Sequence, residues 1–435
     1  MWLAAAAGRP CRNLDPYLSD TAEYAGTFRR HAATADLAIV EGNKGLYDGL
    51  ALDGSNSNAA VAKALQLPVI LVVDARGMTR GIAPLILGYQ AFDRDVRIAG
   101  VILNNLGGSR HEAKLRAVIE HYTDVRVLGA IHCDARLAIV ERHLGLVPSN
   151  EAAGATERVA AIGGLVAAQV DLDAVLPVAA SAPPFPSAAA DVEAATQAPR
   201  GEPDVRIGIA RDRAFGFYYA DDLDAMRAAG AALVPFDTLN DAGLPDVDAL
   251  FIGGGFPESF TAELEANAAL RRQIRGAIAA GMPAYAECGG LMYLARTLTQ
   301  QGRRYEMVGA IPGDVVMHQR PEGRGYVVLE ETAAFPWAAA GAATRTVRAH
   351  EFHYSSLENL PPDLRCAYAV RRGHGLDGAR DGIVVGNLLA SYAHLRSTGA
   401  NRWAARFVAF VRERRAVRNP GCAPAVTTHP GYAAA

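Results

Sequence analysis

The sequence is short of cysteine, of net charge and of long apolar runs, and each shortage excludes something. The five cysteines, Cys11, Cys133, Cys288, Cys366 and Cys422, are odd in number, scattered, and nowhere spaced as Cys-x-x-Cys. That pattern argues against a disulfide or zinc framework and for a reducing compartment. The formal net charge is -3, from 43 Lys+Arg against 46 Asp+Glu. Neither nucleic acid nor a membrane surface is therefore expected as a partner. The opening Met-Trp-Leu-Ala-Ala-Ala-Ala-Gly-Arg-Pro has no basic segment, and its apolar run is too short for a signal peptide or a membrane span. A cytoplasmic location is expected.

What remains is ordinary globular material. Half of the 435 residues are apolar, enough for two or three domains with their own cores. In the front half, residues 37–40 (Leu-Ala-Ile-Val) read as a buried strand, followed by Glu41-Gly42-Asn43-Lys44-Gly45-Leu46-Tyr47-Asp48-Gly49. An acid at the carboxyl end of a parallel strand lies on the ligand-binding edge of the sheet, where it suits Mg²⁺ or a nucleotide phosphate; the bland alternative is a solvated loop acid. Strands are also expected over 68–74, 98–104 and 127–131, with helices over 57–65, 82–91 and 110–121. Such alternation means a parallel α/β sheet. A nucleotide-binding sheet of this kind is expected to open on Gly-x-x-x-x-Gly-Lys-Ser/Thr, because that loop holds the phosphates. The chain contains no such sequence.

Between 179 and 203 the composition falls to Ala, Pro and Ser without a hydrophobic period, the mark of a linker. Strands then resume over 205–210, 231–236 and 248–252, with a helix over 221–229. The last of these strands runs into Gly253-Gly254-Gly255-Phe256-Pro257-Glu258. Consecutive glycines let several backbone N–H groups face one small anion, although glycine clusters chiefly mark turns. The stretch that organises this half is Met282-Pro283-Ala284-Tyr285-Ala286-Glu287-Cys288-Gly289-Gly290-Leu291-Met292-Tyr293-Leu294. An apolar strand reaches Cys288, two glycines follow, and a helical pattern (Leu291, Leu294, Leu298) begins at once. This is the arrangement of a nucleophile elbow, in which Gly254, Gly255 and Gly289 would supply an oxyanion hole. A buried core cysteine beside a turn is the bland alternative. A thiol nucleophile needs a histidine, and spacing alone leaves His350, His353 and His394 open. His350 and His353 sit in an aromatic, polar cluster that reads equally well as the wall of a substrate pocket. Beyond about Val417 the periodicity is lost and disorder is expected.

These motifs together resemble one family. Ala286-Glu287-Cys288-Gly289-Gly290-Leu291-Met292-Tyr293-Leu294, Phe251-Ile252-Gly253-Gly254-Gly255-Phe256-Pro257-Glu258, Arg211-Asp212-x-Ala214-Phe215-x-Phe217-Tyr218-Tyr219 and His350-Glu351-Phe352-His353-Tyr354-Ser355 are similar to the cobyrinic acid a,c-diamide synthases. So are Gly8-Arg9-Pro10-x-Arg12-Asn13-Leu14-Asp15, Glu41-Gly42-x-x-Gly45-Leu46-Tyr47-Asp48-Gly49 and Asp74-Ala75-Arg76-Gly77-Met78 in the front half. The resemblance extends from about Gly8 to Phe410. It implies a P-loop-type parallel-sheet amide ligase domain over 1–178, lacking its first strand and phosphate loop. A linker over 179–203, a class I glutamine amidotransferase α/β domain over 204–412 and a disordered tail over 413–435 would follow.

The resemblance also implies roles. Cys288 would attack the side-chain amide of glutamine, with His394 as its base. The released ammonia would convert two acetate side chains of a tetrapyrrole, a and c, to acetamides after activation as acyl phosphates. Glu41 would stand near Mg²⁺, Asp48 near the activated carboxylate and Asn104 near adenine. His350, His353, Arg76 and Arg211 are pocket candidates, and Arg80 and Arg324 could add charge for an anionic macrocycle. ATP and Mg²⁺ are the implied cofactors, although the loop that would hold ATP is not in this chain and is expected upstream of it. A homodimer is the oligomer expected.

Two further departures stand out. Many class I amidotransferases place Glu two residues after the histidine, whereas Leu395 and Arg396 follow here, which leaves the orienting acid open. Asn43-Lys44 and the polar Asp53-Gly54-Ser55-Asn56-Ser57-Asn58 look closer to a sirohaem-amidating branch. The expected function is thus amidation of cobyrinate or hydrogenobyrinate in cobalamin biosynthesis. The alternatives are sirohaem amidation, a non-catalytic binding remnant, and a glutaminase serving another synthetase.

Overall fold

The computed structural model describes residues 1–142, 145–152, 154–184, 202–337 and 345–418. The chain divides into two compact units, Met1–Gln197 and Ala198–Ala435. Among the described residues, no helix is long and apolar enough to cross a membrane.

The first unit is built on a three-stranded parallel sheet in the order β1 (Val69–Asp74), β2 (Ile98–Leu106), β3 (Val127–His132). The intervening helices are α1 (Ile82–Phe92) and α2 (Ser109–Tyr122). Their apolar positions at a spacing of four, Ile82 and Ile86 on α1 and Leu115 and Ile119 on α2, join Val73, Val101, Leu103 and Ala130 of the strands in one core. Two earlier helices, Thr21–Ala32 and Asn58–Ala64, meet in a separate small cluster around Tyr24, Val61 and Leu65. They start where side chains cap them, Asp20 accepting from Glu23 N–H and Ser57 from Ala60 N–H.

One expected element does not form. Residues 37–40 are irregular and exposed, with Ile39 at 85% of its full accessibility. A strand is held by ladder hydrogen bonds to a neighbour, and among the described residues β1 pairs with β2 alone. Apolar content without a ladder partner does not make a strand.

The second unit carries a nine-stranded mixed sheet. In chain order its strands are β4 (Val205–Ala210), β5 (Ala231–Phe236), β6 (Ala249–Ile252), β7 (Ala284–Glu287), β8 (Gly323–Glu331), β9 (Thr346–His353), β10 (Cys366–Arg372), β11 (Arg380–Val385) and β12 (Leu388–Ser391). In space the order is β9-β8-β10-β11-β12-β7-β6-β4-β5. The stretch from β12 to β5 is parallel and the remainder antiparallel.

The period of two sends alternate side chains to opposite faces, and both faces are covered. Leu250, Ile252, Ala284, Ala286, Leu388 and Ala390 join one core with Leu270, Ile274 and Ile278 of helix α4 (Ala268–Ala279). Phe251, Tyr285 and Leu389 join another with Leu223 and Met226 of α3 (Ala220–Ala228) and Trp403, Phe407 and Val411 of the last described helix (Trp403–Arg418). That helix runs into the segment expected as tail: residues 413–418 are helical. Arg412 bridges Asp204 at 2.8 Å and Arg415 lies 3.4 Å from Asp248, so its basic end is tied to the sheet. Residues 419–435 lie outside the described residues, as do 185–201 of the expected linker, whose first two positions, 179 and 180, still belong to the helix Leu172–Ala180.

Candidate active site

Two adjacent parallel strands end side by side at the centre of the second unit. Strand β7 pairs with β12 in a register that sets Glu287 opposite Ser391, and Cys288 N–H continues the ladder to the Ser391 carbonyl at 2.8 Å. Whatever follows the two strands must emerge together, Cys288 from one and His394 from the other. Cys288 takes φ 49° and ψ −104° at the start of helix α5 (Gly289–Leu294). A non-glycine residue at positive φ is strained, and such strain concentrates at functional turns. The helix is shorter than the pattern suggests, because Leu298 lies in the following strand, Thr297–Gln300. Cys288 is buried, and its Sγ makes a long contact of 3.8 Å with the Phe352 carbonyl oxygen.

Glycine is required where the elbow crosses the sheet. A Cβ on Gly290 would lie 2.1 Å from the Ile252 carbonyl oxygen, and one on Gly255 1.9 Å from that of Ala214. The three candidates for an oxyanion hole gather here. A Cβ on Gly289 would meet Gly255 at 2.8 Å, and one on Gly254 would meet the His394 ring at 2.7 Å. Gly254 and Gly255 also pair with Phe217 and Phe215 in a short antiparallel ladder.

His394 lies between several partners. Its Nδ1 is 3.5 Å from Oε2 of Glu287. Burial pushes its pKa down, but hydrogen bonds to Cys288 and Glu287 and their charges outweigh that and raise it to about 10. The ring stacks on His350, 4.8 Å between centroids and 16° between planes, and the two residues exchange backbone hydrogen bonds of 2.8 and 3.4 Å. Since β9 is the far edge of the sheet, this bridge means that the antiparallel half curls back over the site. Burial, with His394 and Arg396 nearby, lowers His350 to about 3, so that ring is neutral. Its Nδ1 is 3.1 Å from the Tyr219 hydroxyl, and the Arg396 guanidinium lies over the Tyr219 ring at 4.4 Å.

The turn that carries His394 is held from below by Asp381, which is fully buried. Asp381 accepts from the Ser391 hydroxyl at 2.7 Å and from the N–H groups of Gly382, Tyr392 and Ala393 at 2.8, 3.1 and 3.0 Å. His353, by contrast, is enclosed. It is 2% exposed, stacks on Tyr392 at 3.8 Å, and its Nδ1 donates to the Ser355 carbonyl at 2.8 Å. Its place is structural, because a side chain without accessible surface offers a large substrate nothing to touch. Arg211 is exposed next to β4.

The front-unit candidates are not drawn together in this way. Glu41 lies in exposed, irregular chain rather than at a strand end. Asp48 is exposed and its carboxylate folds back over Gly45, whose Cβ would be 2.3 Å from Oδ2. Asn104 sits opposite Asp74 in the β1–β2 register, and Arg76 forms an exposed ion pair with Asp74 at 2.5 Å. Just beyond β2 an open cleft of about 530 Å³ is lined by Gly107, Gly108, Ser109, Arg110, His111 and Lys114. It lies on the carboxyl edge where ligands of parallel sheets bind. Among the described residues, no three His, Cys, Asp or Glu side chains gather as a metal site.

Glu287 and Asp381 are the residues that reading the motifs overlooked. The first was visible beside Cys288, but an acid was sought after the histidine. The second carries no motif signal, because only the fold brings it beneath residues 391–393.

Comparisons with known proteins find one domain match in each unit. A CobB/CobQ-like glutamine amidotransferase domain matches residues 206–401, and an AAA domain matches residues 15–138. The chain is 45% identical over 421 residues to a cobyrinate a,c-diamide synthase of Magnetococcus marinus, covering 96% of this chain and 89% of that protein. Proteins of the same name from Methanosarcina acetivorans (43%; 95% of this chain, 87% of that protein) and Archaeoglobus fulgidus (41%; 93% and 86%) are similar along nearly as much of it.

Proposed function

The chain belongs to the cobyrinate a,c-diamide synthase family, and from that premise we propose that it converts the a and c acetate side chains of cobyrinate, or of hydrogenobyrinate, to acetamides, with glutamine as nitrogen donor and ATP as energy source. It is a glutamine-dependent carbon–nitrogen ligase of cobalamin biosynthesis. The observation that carries the reading is the meeting of Cys288 and His394 at the ends of two adjacent parallel strands.

In this reading Cys288 Sγ attacks the side-chain carbonyl carbon of glutamine while His394 holds the thiol proton. His394 then passes that proton to the departing nitrogen, ammonia leaves, and a glutamyl thioester remains. Water adds to the thioester and releases glutamate, so one water is consumed for each ammonia formed. The backbone at Gly254, Gly255 and Gly289 is assigned to the oxyanion of both tetrahedral intermediates. A neutral His350, stacked on the base, excludes water from one face of its ring and adds no charge.

The front unit is assigned to carboxylate activation, with Asp48 and Asn104 as its contacts and Arg76 as charge for the macrocycle; Arg211 belongs to the second unit. Glu41 is the one carboxylate offered to Mg²⁺. The described residues do not by themselves form a cradle for the ion or for ATP phosphates, and no step is derived through either. The polar stretch that suggested sirohaem has a local explanation. Asn56 accepts from Leu50 and Ala51 N–H at 2.8 and 3.0 Å, and Ser57 caps a helix. The names of the similar proteins favour cobyrinate as substrate.

Cys288→Ala tests the assignment. Glutamine-dependent amidation of cobyrinate should vanish, while amidation driven by ammonium salt should persist, both read by mass spectrometry of the product. A folded variant that loses both activities would overturn the division of labour, and product from sirohaem but not cobyrinate would overturn the substrate.

A further inference from the structure

The Cys288–His394 pair has a third member in an unexpected place. Glu287 is 3% exposed, and its two oxygens do different things. Oε1 accepts the Tyr285 hydroxyl at 2.6 Å and Leu395 N–H at 2.9 Å, while Oε2 is turned to His394 Nδ1 at 3.5 Å. The two donors to Oε1 come from the strand that carries Cys288 and from the residue after His394. One buried carboxylate therefore ties both halves of the site together. The position two residues beyond the histidine is Arg396, which is occupied elsewhere, with Asp221 at 3.1 Å and the Tyr219 ring.

We propose that Glu287 is the positioning carboxylate of this site, holding the proton on His394 Nδ1 so that Nε2 is the nitrogen that takes the thiol proton. The inference rests on the reading of Cys288 as the nucleophile. Delivery from the residue before the cysteine has a geometric basis. In a β-strand neighbouring side chains point to opposite faces, but the elbow at Cys288 turns the chain, so Glu287 and Cys288 approach the same imidazole from different sides. The buried carboxylate also makes the imidazolium formed during proton transfer less costly, because an unpaired charge there would be desolvated without compensation.

The substitution Glu287→Gln separates a positioning role from a merely structural one. The amide oxygen can still accept from Tyr285 and Leu395, which preserves the clamp, but its N–H group would now face Nδ1. That favours the opposite tautomer, with the proton on Nε2 and no acceptor there for that of the thiol. Other titratable and charged groups around the pair are His350 on β9, with Tyr219 and Arg396 behind it, and Asp222, Tyr285, Tyr218 and Tyr368, whose ionisation the Glu287 charge opposes.

The experiment uses the full chain. Glutamine hydrolysis is measured, and alkylation of Cys288 by iodoacetamide is followed against pH on its own peptide by mass spectrometry. For Glu287→Gln, hydrolysis should fall about 10⁴-fold, by analogy with a wrong-tautomer histidine, and the alkylation midpoint should move to higher pH at an unchanged melting temperature. Glu287→Asp, which keeps the charge but shortens its reach, should lie between Gln and the parent in both readouts, and it decides the matter if the Gln variant does not fold. The proposal is overturned if a folded Glu287→Gln stays within about threefold of the parent with the same alkylation profile, or if the Asp and Gln variants are equally impaired in both. Cys288→Ala separates the two levels: hydrolysis that survives it sinks the nucleophile assignment itself, whereas loss there with a fully active Glu287→Gln sinks only the role of Glu287.

Discussion

The two units treat their functional residues in opposite ways. In the second, every group around Cys288 is fixed by backbone or buried side chains: Glu287 by two donors, His394 by a strand bridge, and its turn by three hydrogen bonds to Asp381. In the first, Glu41, Asp48 and Arg76 are exposed, and what holds them is local, such as the ion pair of Arg76 with Asp74. Large apolar side chains are exposed there too, Leu52 at 107%, Phe92 at 76% and Val72 at 60%. A site that handles a small amide with a covalent intermediate gains from rigid placement within the fold. In the proposed function the front face takes a wide, anionic macrocycle and a nucleotide, and its exposure leaves them room. The comparison teaches that pre-organisation here belongs to the ammonia-producing half.

The largest test of that contrast is Gly290→Ala. The added Cβ meets the Ile252 carbonyl oxygen, a main-chain atom at the end of a buried strand, so helix α5 must move off the sheet. Overpacking against an unyielding neighbour costs about 3 kcal/mol, and because the displaced helix begins at Cys288, glutamine hydrolysis should be lost with it. Thermal unfolding and a glutaminase assay check both parts. Unaltered stability would mean that the second unit is more compliant than its contacts imply.

Next comes Asp381→Ala. It leaves the N–H groups of Gly382 and Tyr392 without this acceptor in a buried place, while Ala393 N–H keeps the Ser391 hydroxyl at 3.1 Å, at a cost of about 3 kcal/mol before any water enters. The turn that presents His394 loses its tie to β11. Hydrolysis should fall with stability, whereas Asp381→Asn, which retains an acceptor oxygen, should fall less. Equal losses would show that charge, not acceptance, is what the turn needs. The charge itself is disfavoured by burial, which pushes this acid's pKa up against four donors.

These residues also mark how far sequence carries. The elbow was legible because strand, cysteine, two glycines and helix are contiguous, and contiguity survives folding. The choice among three histidines was not, since it depends on β12 lying beside β7 although about a hundred residues separate them, a pairing that local pattern cannot express. His353 had the right residue type and neighbours, yet it is buried against Tyr392. Glu287 was hidden by expectation rather than by distance. Residues 37–40 failed for a different reason, because their β-propensity was real but no ladder was offered to it.

The smallest expected effect is the most informative about the first unit. Ile39 is 85% exposed in irregular chain, so Ile39→Ser removes an apolar side chain that touches mainly solvent. Exposed substitutions of this kind change stability by less than about 0.5 kcal/mol, and neither unfolding nor glutamine hydrolysis should respond. Ile252→Ala, at a fully buried position of β6, is the matched control, with a loss of about 3 kcal/mol on large-to-small truncation in a core. If the two variants proved alike, the stretch from Leu37 to Val40 would be covered in solution by something that binds there. The first unit would then be as pre-organised as the second, and the contrast between them would fall.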